Sequence, residues 1–169
     1  MRRIYILSAA LLLVLSGFTA KAQRFEVPAN YNLETKDDYH KYDNDIIKCV
    51  NWLEKTPAKE SNNKIKHAGD FLAEWLTGCP YVRFSQNVRV DAVFSNSPRL
   101  RVYYMGGWAR YALQNQGKAT QAQCCIAGLR CLIKVYEENK SSLERDPNVD
   151  ELVNADKQGK LQEWVDDRM

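Results

Sequence analysis

Apolar residues recur every three or four positions along most of this chain, which is the spacing of an amphipathic helix. The longer segments with this period cover 37–56, 61–76, 97–113 and 119–139. The shorter ones cover 87–94, 146–157 and 161–165. We therefore expect an all-α fold, a single-domain helical bundle of four longer helices and two or three short ones. Stacked helical hairpins are the alternative arrangement.

Capping residues and prolines predict where these helices begin and end. Pro57 ends the first helix, and Ser61 is the expected N-cap of the second. Thr77-Gly78-Cys79-Pro80 stops the second helix, and Ser97-Pro98 and Asp146-Pro147 open later ones. The stretch 81–84 alternates like a short strand, so the helical assignment is weakest just before residue 87.

The first 22 residues have the features of a signal peptide. Arg2 and Arg3 precede an apolar run over 4–18, and Ala20-Lys21-Ala22 has the small residues of a cleavage site, so we place the mature start at Gln23. The alternative is an uncleaved anchor, but the apolar run is shorter than the roughly 20 residues that span a bilayer. The sequence predicts a periplasmic or secreted protein with no membrane span after cleavage.

Residues 23–36 lack a helical period and predict an extended arm before a helical domain at 37–169. Four apolar side chains of the arm are expected to hold it against that domain. They are Phe25, Val27, Tyr31 and Leu33. Cleavage would remove three basic residues and no acidic one, which leaves the mature chain with a formal net charge of zero. This balance argues against a nucleic-acid partner.

Small residues on the third and fourth helices predict a close crossing. Gly106-Gly107 interrupts an aromatic run, and each glycine costs a helix about 1 kcal/mol relative to alanine. A stripe of small residues that includes Gly128 lies on the fourth helix. This helix is apolar on two faces and is therefore expected at the centre of the fold. The alternatives are a kink or a notch that faces a ligand.

The five cysteines are expected to be buried apolar residues rather than metal ligands. They are Cys49, Cys79, Cys124, Cys125 and Cys131. No CxxC pair is present, and no histidine lies near the three on the fourth helix. Seven residues of helix rise about 10.5 Å, which is too far for a disulfide between Cys124 and Cys131. The pairing of the others stays open.

No catalytic, metal or cofactor site is predicted, and the sequence leans against an enzyme. His40 and Asp43 lie on one helical face and could form an acid/base or metal pair, but acidic residues at a helix start also favour the backbone dipole. His67 lies in a lysine-rich segment and is expected at the surface. Nucleophile and phosphate-loop signatures are absent.

Four short motifs resemble an uncharacterised family of small exported all-helical proteins of Bacteroidetes-type bacteria. The motifs are Asn51-Trp52-Leu53, Trp75-Leu76-Thr77-Gly78, Met105-Gly106-Gly107-Trp108-Ala109 and the segment from Gly159 to Val165. The resemblance covers nearly all of the mature chain. It implies an α fold and an envelope location, and it assigns no activity or cofactor.

The sequence predicts an exported binding or scaffold protein of the cell envelope, with an aromatic face for a protein or peptide partner. Candidate surface aromatics are Tyr81, Tyr103, Trp108 and Trp164. The alternative is a small-ligand carrier or enzyme with a pocket near Gly106, Gly107 and Trp108, where Arg110 could contact an anion. The oligomeric state is left open.

Overall fold

The computed structural model describes residues 24–58 and 62–169, and these residues are all-helical with no strand. The α-helices are α1 Lys36–Lys41, α2 Asp43–Lys55, α3 Asn63–Gly78, α4 Val88–Asp91, α5 Arg101–Gln114, α6 Gln121–Glu138, α7 Pro147–Lys157 and α8 Leu161–Asp166. Two 3₁₀ turns cover Ala92–Phe94 and Pro98–Leu100. The all-α prediction is confirmed. The predicted signal peptide lies outside the described residues.

Side-chain caps begin several of these helices. Thr35 and Thr120 each form a reciprocal capping box, with Asp38 and Gln123 respectively. Asp146 accepts a hydrogen bond from the backbone N–H of Asn148, ahead of the proline that opens α7. These signals lie within four residues of their helix, which is why the sequence located the starts of the later helices well.

Two predicted boundaries differ from the structure. The helix expected over 37–56 is divided at Tyr42, whose backbone (φ −101°, ψ 1°) is not helical and whose N–H turns back to the carbonyl of Tyr39. The ring of Tyr42 packs edge-on against Tyr31 and Phe71, so tertiary contacts accompany the break. Ser61 lies outside the described residues, and the side chain of Asn62 caps α3 instead.

The helices α5 and α6 are in closest contact, and their backbones meet at glycines. A Cβ atom on Gly107 would lie 2.6 Å from the carbonyl oxygen of Ala127 and 2.6 Å from Cβ of Cys131. A Cβ on Gly128 would lie 2.6 Å from the carbonyl oxygen of Tyr104. The predicted close crossing is confirmed for Gly107 and Gly128. Gly106 instead faces α2 and α3, against Val50 and Leu72.

The other helices pack around this pair. Helices α2 and α3 contact α5, whereas α7 and α8 contact α6. The largest fully buried side chains include Trp75, Trp108 and Phe71, so much of the aromatic content lies in the core. Among the residues that the structure describes, none of the helices is both long enough and apolar enough to cross a membrane.

The segment before α1 is an arm held by its apolar side chains, as predicted. Phe25, Val27, Tyr31 and Leu33 are partly buried against the core. The ring of Tyr31 meets Phe71 edge-on at 4.8 Å between centroids, and its hydroxyl donates to Glu74. The arm therefore covers an aromatic surface between α2 and α3 and leaves that surface closed to a partner.

We expect Gly107→Ala to lower the free energy of unfolding by about 1 to 3 kcal/mol, because the added methyl meets backbone and a Cβ atom that cannot rotate away. Chemical denaturation would measure the loss. Gly106→Ala is the matched control on the same helix, since its Cβ would lie 3.2 Å or more from its nearest neighbours, which are side-chain atoms of Val50 and Leu72 rather than backbone. Equal losses for the two variants would contradict a backbone contact at Gly107.

Candidate functional site

The predicted site around Gly106 and Gly107 is part of the protein interior. Trp108 is 1% exposed, and its Nε1–H donates to the carbonyl oxygen of Arg83. Both glycines are buried and contact other helices, so the space beside Trp108 is filled by the chain itself. The space that the missing side chains leave is used for helix packing, and a ligand pocket at this position stays a prediction.

The predicted surface cluster of aromatics is wrong. Tyr103 is 3% exposed, Trp164 is 9% exposed, and Tyr81 is half-buried. The exposed large apolar side chains of the described residues are Val88 and Met169. A helical period alone does not separate a core aromatic from a surface one when a helix is apolar on more than one face.

Arg110 is held in a partly buried ion pair rather than left open for an anion. Its guanidinium donates two hydrogen bonds to the carboxylate of Glu54, at 2.6 and 2.8 Å, and a third to the side-chain oxygen of Asn51. The ammonium of Lys134 lies 3.7 Å from the same carboxylate. This cluster links α2, α5 and α6, and the guanidinium of Arg110 is paired within it.

The ion pair sets the ionisation of Glu54. Burial by itself would raise the pKa of this carboxyl, but the hydrogen bonds from Arg110 and Cys131 and the charges of Arg110 and Lys134 outweigh it and lower the pKa. A carboxylate with a lowered pKa stabilises the fold above its unfolded-state pKa. That contribution is lost as the pH falls through the folded-state value.

We expect Glu54→Gln to reduce the free energy of unfolding by about 2 kcal/mol at neutral pH, the magnitude of a hydrogen-bonded charge. The difference from the wild type should shrink as the pH falls through the lowered pKa of Glu54 in the folded protein, because the wild-type carboxyl becomes neutral there. Urea denaturation at several pH values would measure it. Glu163→Gln, at an exposed position on α8, should stay within about 0.5 kcal/mol throughout. If the difference in free energy of unfolding between Glu54→Gln and the wild type did not change with pH, titration of Glu54 would not contribute to it.

His40 and Asp43 come together as the sequence suggested. Nδ1 of His40 lies 3.0 Å from a carboxylate oxygen of Asp43, and Tyr81 donates its hydroxyl to the other oxygen at 2.5 Å. The imidazole stacks on the Tyr81 ring, with centroids 3.9 Å apart. The cluster ties the loop after α3 to α1 and α2. His67 is exposed, and the described residues contain no group of three or more metal-binding side chains.

All five cysteines are buried free thiols. Burial is the main cause that raises the pKa of each one, to about 12 for Cys49 and about 11 for Cys124. Thiols of this kind are poor nucleophiles, because the thiolate is the reactive form. The prediction that they fill the core is confirmed by their burial.

We expect the folded protein to react slowly with a thiol-specific chromogenic reagent at neutral pH, because burial restricts access and opposes ionisation. In concentrated guanidinium chloride without reductant, all five thiols should react rapidly. Absorbance of the released chromophore would count them. A count of three or one in the denatured protein would show that disulfides form, in contradiction to the five free thiols.

An apolar opening lies elsewhere, in a groove between α3 and the beginning of α5. Its volume is about 420 Å³. Apolar and small side chains dominate the lining, and they include Ile65, Gly69, Ala73, Leu100, Val102 and Met105. We call this the α3/α5 groove. Its volume lies within the range of about 300 to 1,000 Å³ that small-ligand pockets occupy.

The polar groups of the α3/α5 groove are few. Lys66 and Asp70, one turn apart on α3, form an exposed ion pair of 2.6 Å. Arg99 lies in the 3₁₀ turn that precedes α5, and Tyr103, in the first turn of α5, also lines the groove. Tyr103 is therefore the residue shared by the predicted site and the observed groove. The arrangement can bind an apolar group and orient a polar one, but it contains no nucleophile paired with a base.

A sequence signal for this groove was present but incomplete. Ile65, Gly69 and Ala73 recur every four residues on α3, so they lie on one face of this helix. Two small residues one turn apart, Gly69 and Ala73, leave room beside this face of α3. Their meaning depended on which helix lies opposite, and the sequence did not contain that information.

The chain was compared with protein-family models, with curated proteins and with solved structures, and none of the three comparisons found a match.

Proposed function

We propose that this chain is a binding protein of the cell envelope without catalytic activity, and that the α3/α5 groove holds the apolar part of a small ligand. The observation that carries the proposal is the apolar lining of a groove of about 420 Å³. Burial of apolar surface contributes about 25 cal/mol for each Å² removed from water, so such a lining favours an apolar ligand.

The burial of the aromatics supports one of the two functions suggested by the sequence over the other. A protein or peptide partner was expected to bind an exposed aromatic face, and Trp108 and Tyr103 lie in the core instead. The small-ligand carrier keeps its support, but its site moves by one turn of α5, from Gly107 to the surface formed by Tyr103 and Val102.

The surrounding architecture suits a rigid ligand site. In our proposal the helices form one single-domain bundle over 37–169, with α5 and α6 at its centre. The walls of the groove belong to α3 and α5, and α3 begins with a side-chain cap from Asn62. Sites on capped helices keep their geometry better than sites on loops.

Export by a cleaved signal peptide, a mature start at Gln23 and membership of the family of exported all-helical proteins remain predictions. They place the proposed ligand outside the cytoplasm. A carrier in the envelope would meet apolar molecules in transit between membranes, which is consistent with an apolar groove that has few polar groups.

We expect native mass spectrometry of the protein purified from its producing cells to show a mass above that of the denatured chain, because a bound ligand is lost on unfolding. Ala73→Leu should remove the added mass, since the larger side chain would occupy the groove. Ala122→Leu is the matched control, at a half-buried alanine on α6 outside the groove.

Three results would argue against the proposal. They are a bare chain from every preparation, an added mass that persists in Ala73→Leu, and an added mass that both alanine variants lose equally. The last result would place the bound molecule elsewhere or would indicate general damage to the fold, which thermal denaturation of both variants would reveal.

A further inference from the structure

The two helices that form the α3/α5 groove run in the same direction along it. A Cβ atom on Gly69 would lie 3.0 Å from Cγ2 of Val102, so α3 and α5 approach one another there. About one turn further along both helices, a Cβ on Gly106 would lie 3.4 Å from Cδ2 of Leu72. We call the approach of Gly69 to Val102 the central contact. The groove can be followed from residues before this contact to residues after it.

The two ends of the groove differ in polarity. Lys66 and Arg99 line it about one turn before the central contact, and the carboxylate of Asp70 lies 2.6 Å from the ammonium of Lys66. Ala73 and Met105 line it about one turn after the central contact, and they carry no charge. An amphiphile in the groove therefore has one orientation in which its apolar end lies between Ala73 and Met105.

The polar side chains at the first end already have partners within the protein. Lys66 is paired with Asp70, and the side-chain oxygen of Asn62 accepts hydrogen bonds from backbone N–H groups in the first turn of α3. Arg99 is also engaged in an interaction of its own. A headgroup that replaced one exposed ion pair by another would gain little, because exposed ion pairs contribute little. The affinity must then come from the apolar chain.

The apolar part of the groove is long and narrow. Its wall on α3 extends from Ile65 to Ala73, which is about 12 Å at 1.5 Å per residue. The central contact brings the two walls together midway, so a branched or cyclic ligand would have to separate the helices. A single unbranched chain fits this shape, and each methylene group that it buries should strengthen binding about fourfold.

We infer that the α3/α5 groove binds a single-chain amphiphile by its apolar chain and does not select the charge of its headgroup. The end of the chain lies between Ala73 and Met105, and the headgroup lies at the end that carries Lys66. This inference rests on the proposed function and adds to it the class of the ligand and its orientation.

The first test is isothermal titration calorimetry with hexanol, octanol and decanol. We expect affinity to rise about fourfold for each added methylene group. In Ala73→Leu the larger side chain should occupy the apolar end, so the loss of affinity should grow with chain length. Decanol should bind about tenfold more weakly or worse, the contribution of about two buried methylene groups, whereas hexanol should lose much less.

The second test compares decanoate with decyltrimethylammonium at neutral pH, each below its micelle concentration. We expect the wild type to bind the anion and the cation within about fivefold of one another, the size of an exposed ionic contact. Ala122→Leu, on α6 outside the groove, is the matched control and should leave the affinity for decanol unchanged. Circular dichroism would check that both alanine variants are folded.

A larger difference between the two ions would show that the headgroup is recognised and would overturn the inference. Equal affinities for hexanol and decanol in the wild type would also overturn it, and so would a loss in folded Ala73→Leu that is the same for both alcohols. Binding of none of these probes would overturn it as well. A native ligand that is lost in Ala73→Leu would in each case preserve the proposed function with another ligand class.

Discussion

The contact between the backbones of α5 and α6 is the constraint on which the other helices depend. Gly107 and Gly128 are packed against backbone atoms of the opposite helix, so each position has no room for a side chain. Helices α2 and α3 pack against α5, and α7 and α8 pack against α6. The close packing that results has little tolerance for added volume.

The same constraint explains why an aromatic-rich helix presents no aromatic surface. Tyr103, Tyr104 and Trp108 surround the glycine pair on α5, and a helix covered on several sides buries them all. The buried Glu54–Arg110 pair then joins α2 to this centre. Removing one partner of such a pair leaves a poorly solvated charge, so the pair favours one arrangement of helices over others that would satisfy the apolar pattern equally well.

The proposed ligand site lies at the edge of this core, where packing is incomplete. Gly69 and Ala73 on α3 face the beginning of α5 without filling the space between the helices, and the α3/α5 groove results. One face of Tyr103 belongs to the core, and the residue also lines the groove. A ligand site that shares a residue with the core has a rigid wall, which limits the entropy that binding must overcome.

The helices, several of their caps, the central position of α6 and the burial of the cysteines were determined by the sequence, because each depends on residues a few positions apart or on apolar periodicity. The break at Tyr42, the pairing of Arg110 with Glu54 and the location of the α3/α5 groove were decided only by the tertiary structure. Glu54 and Arg110 lie 56 positions apart, and the walls of the groove come from two helices. Contacts at such separations depend on how the helices pack. The spacing of residues within one helix does not specify which face of another helix it contacts.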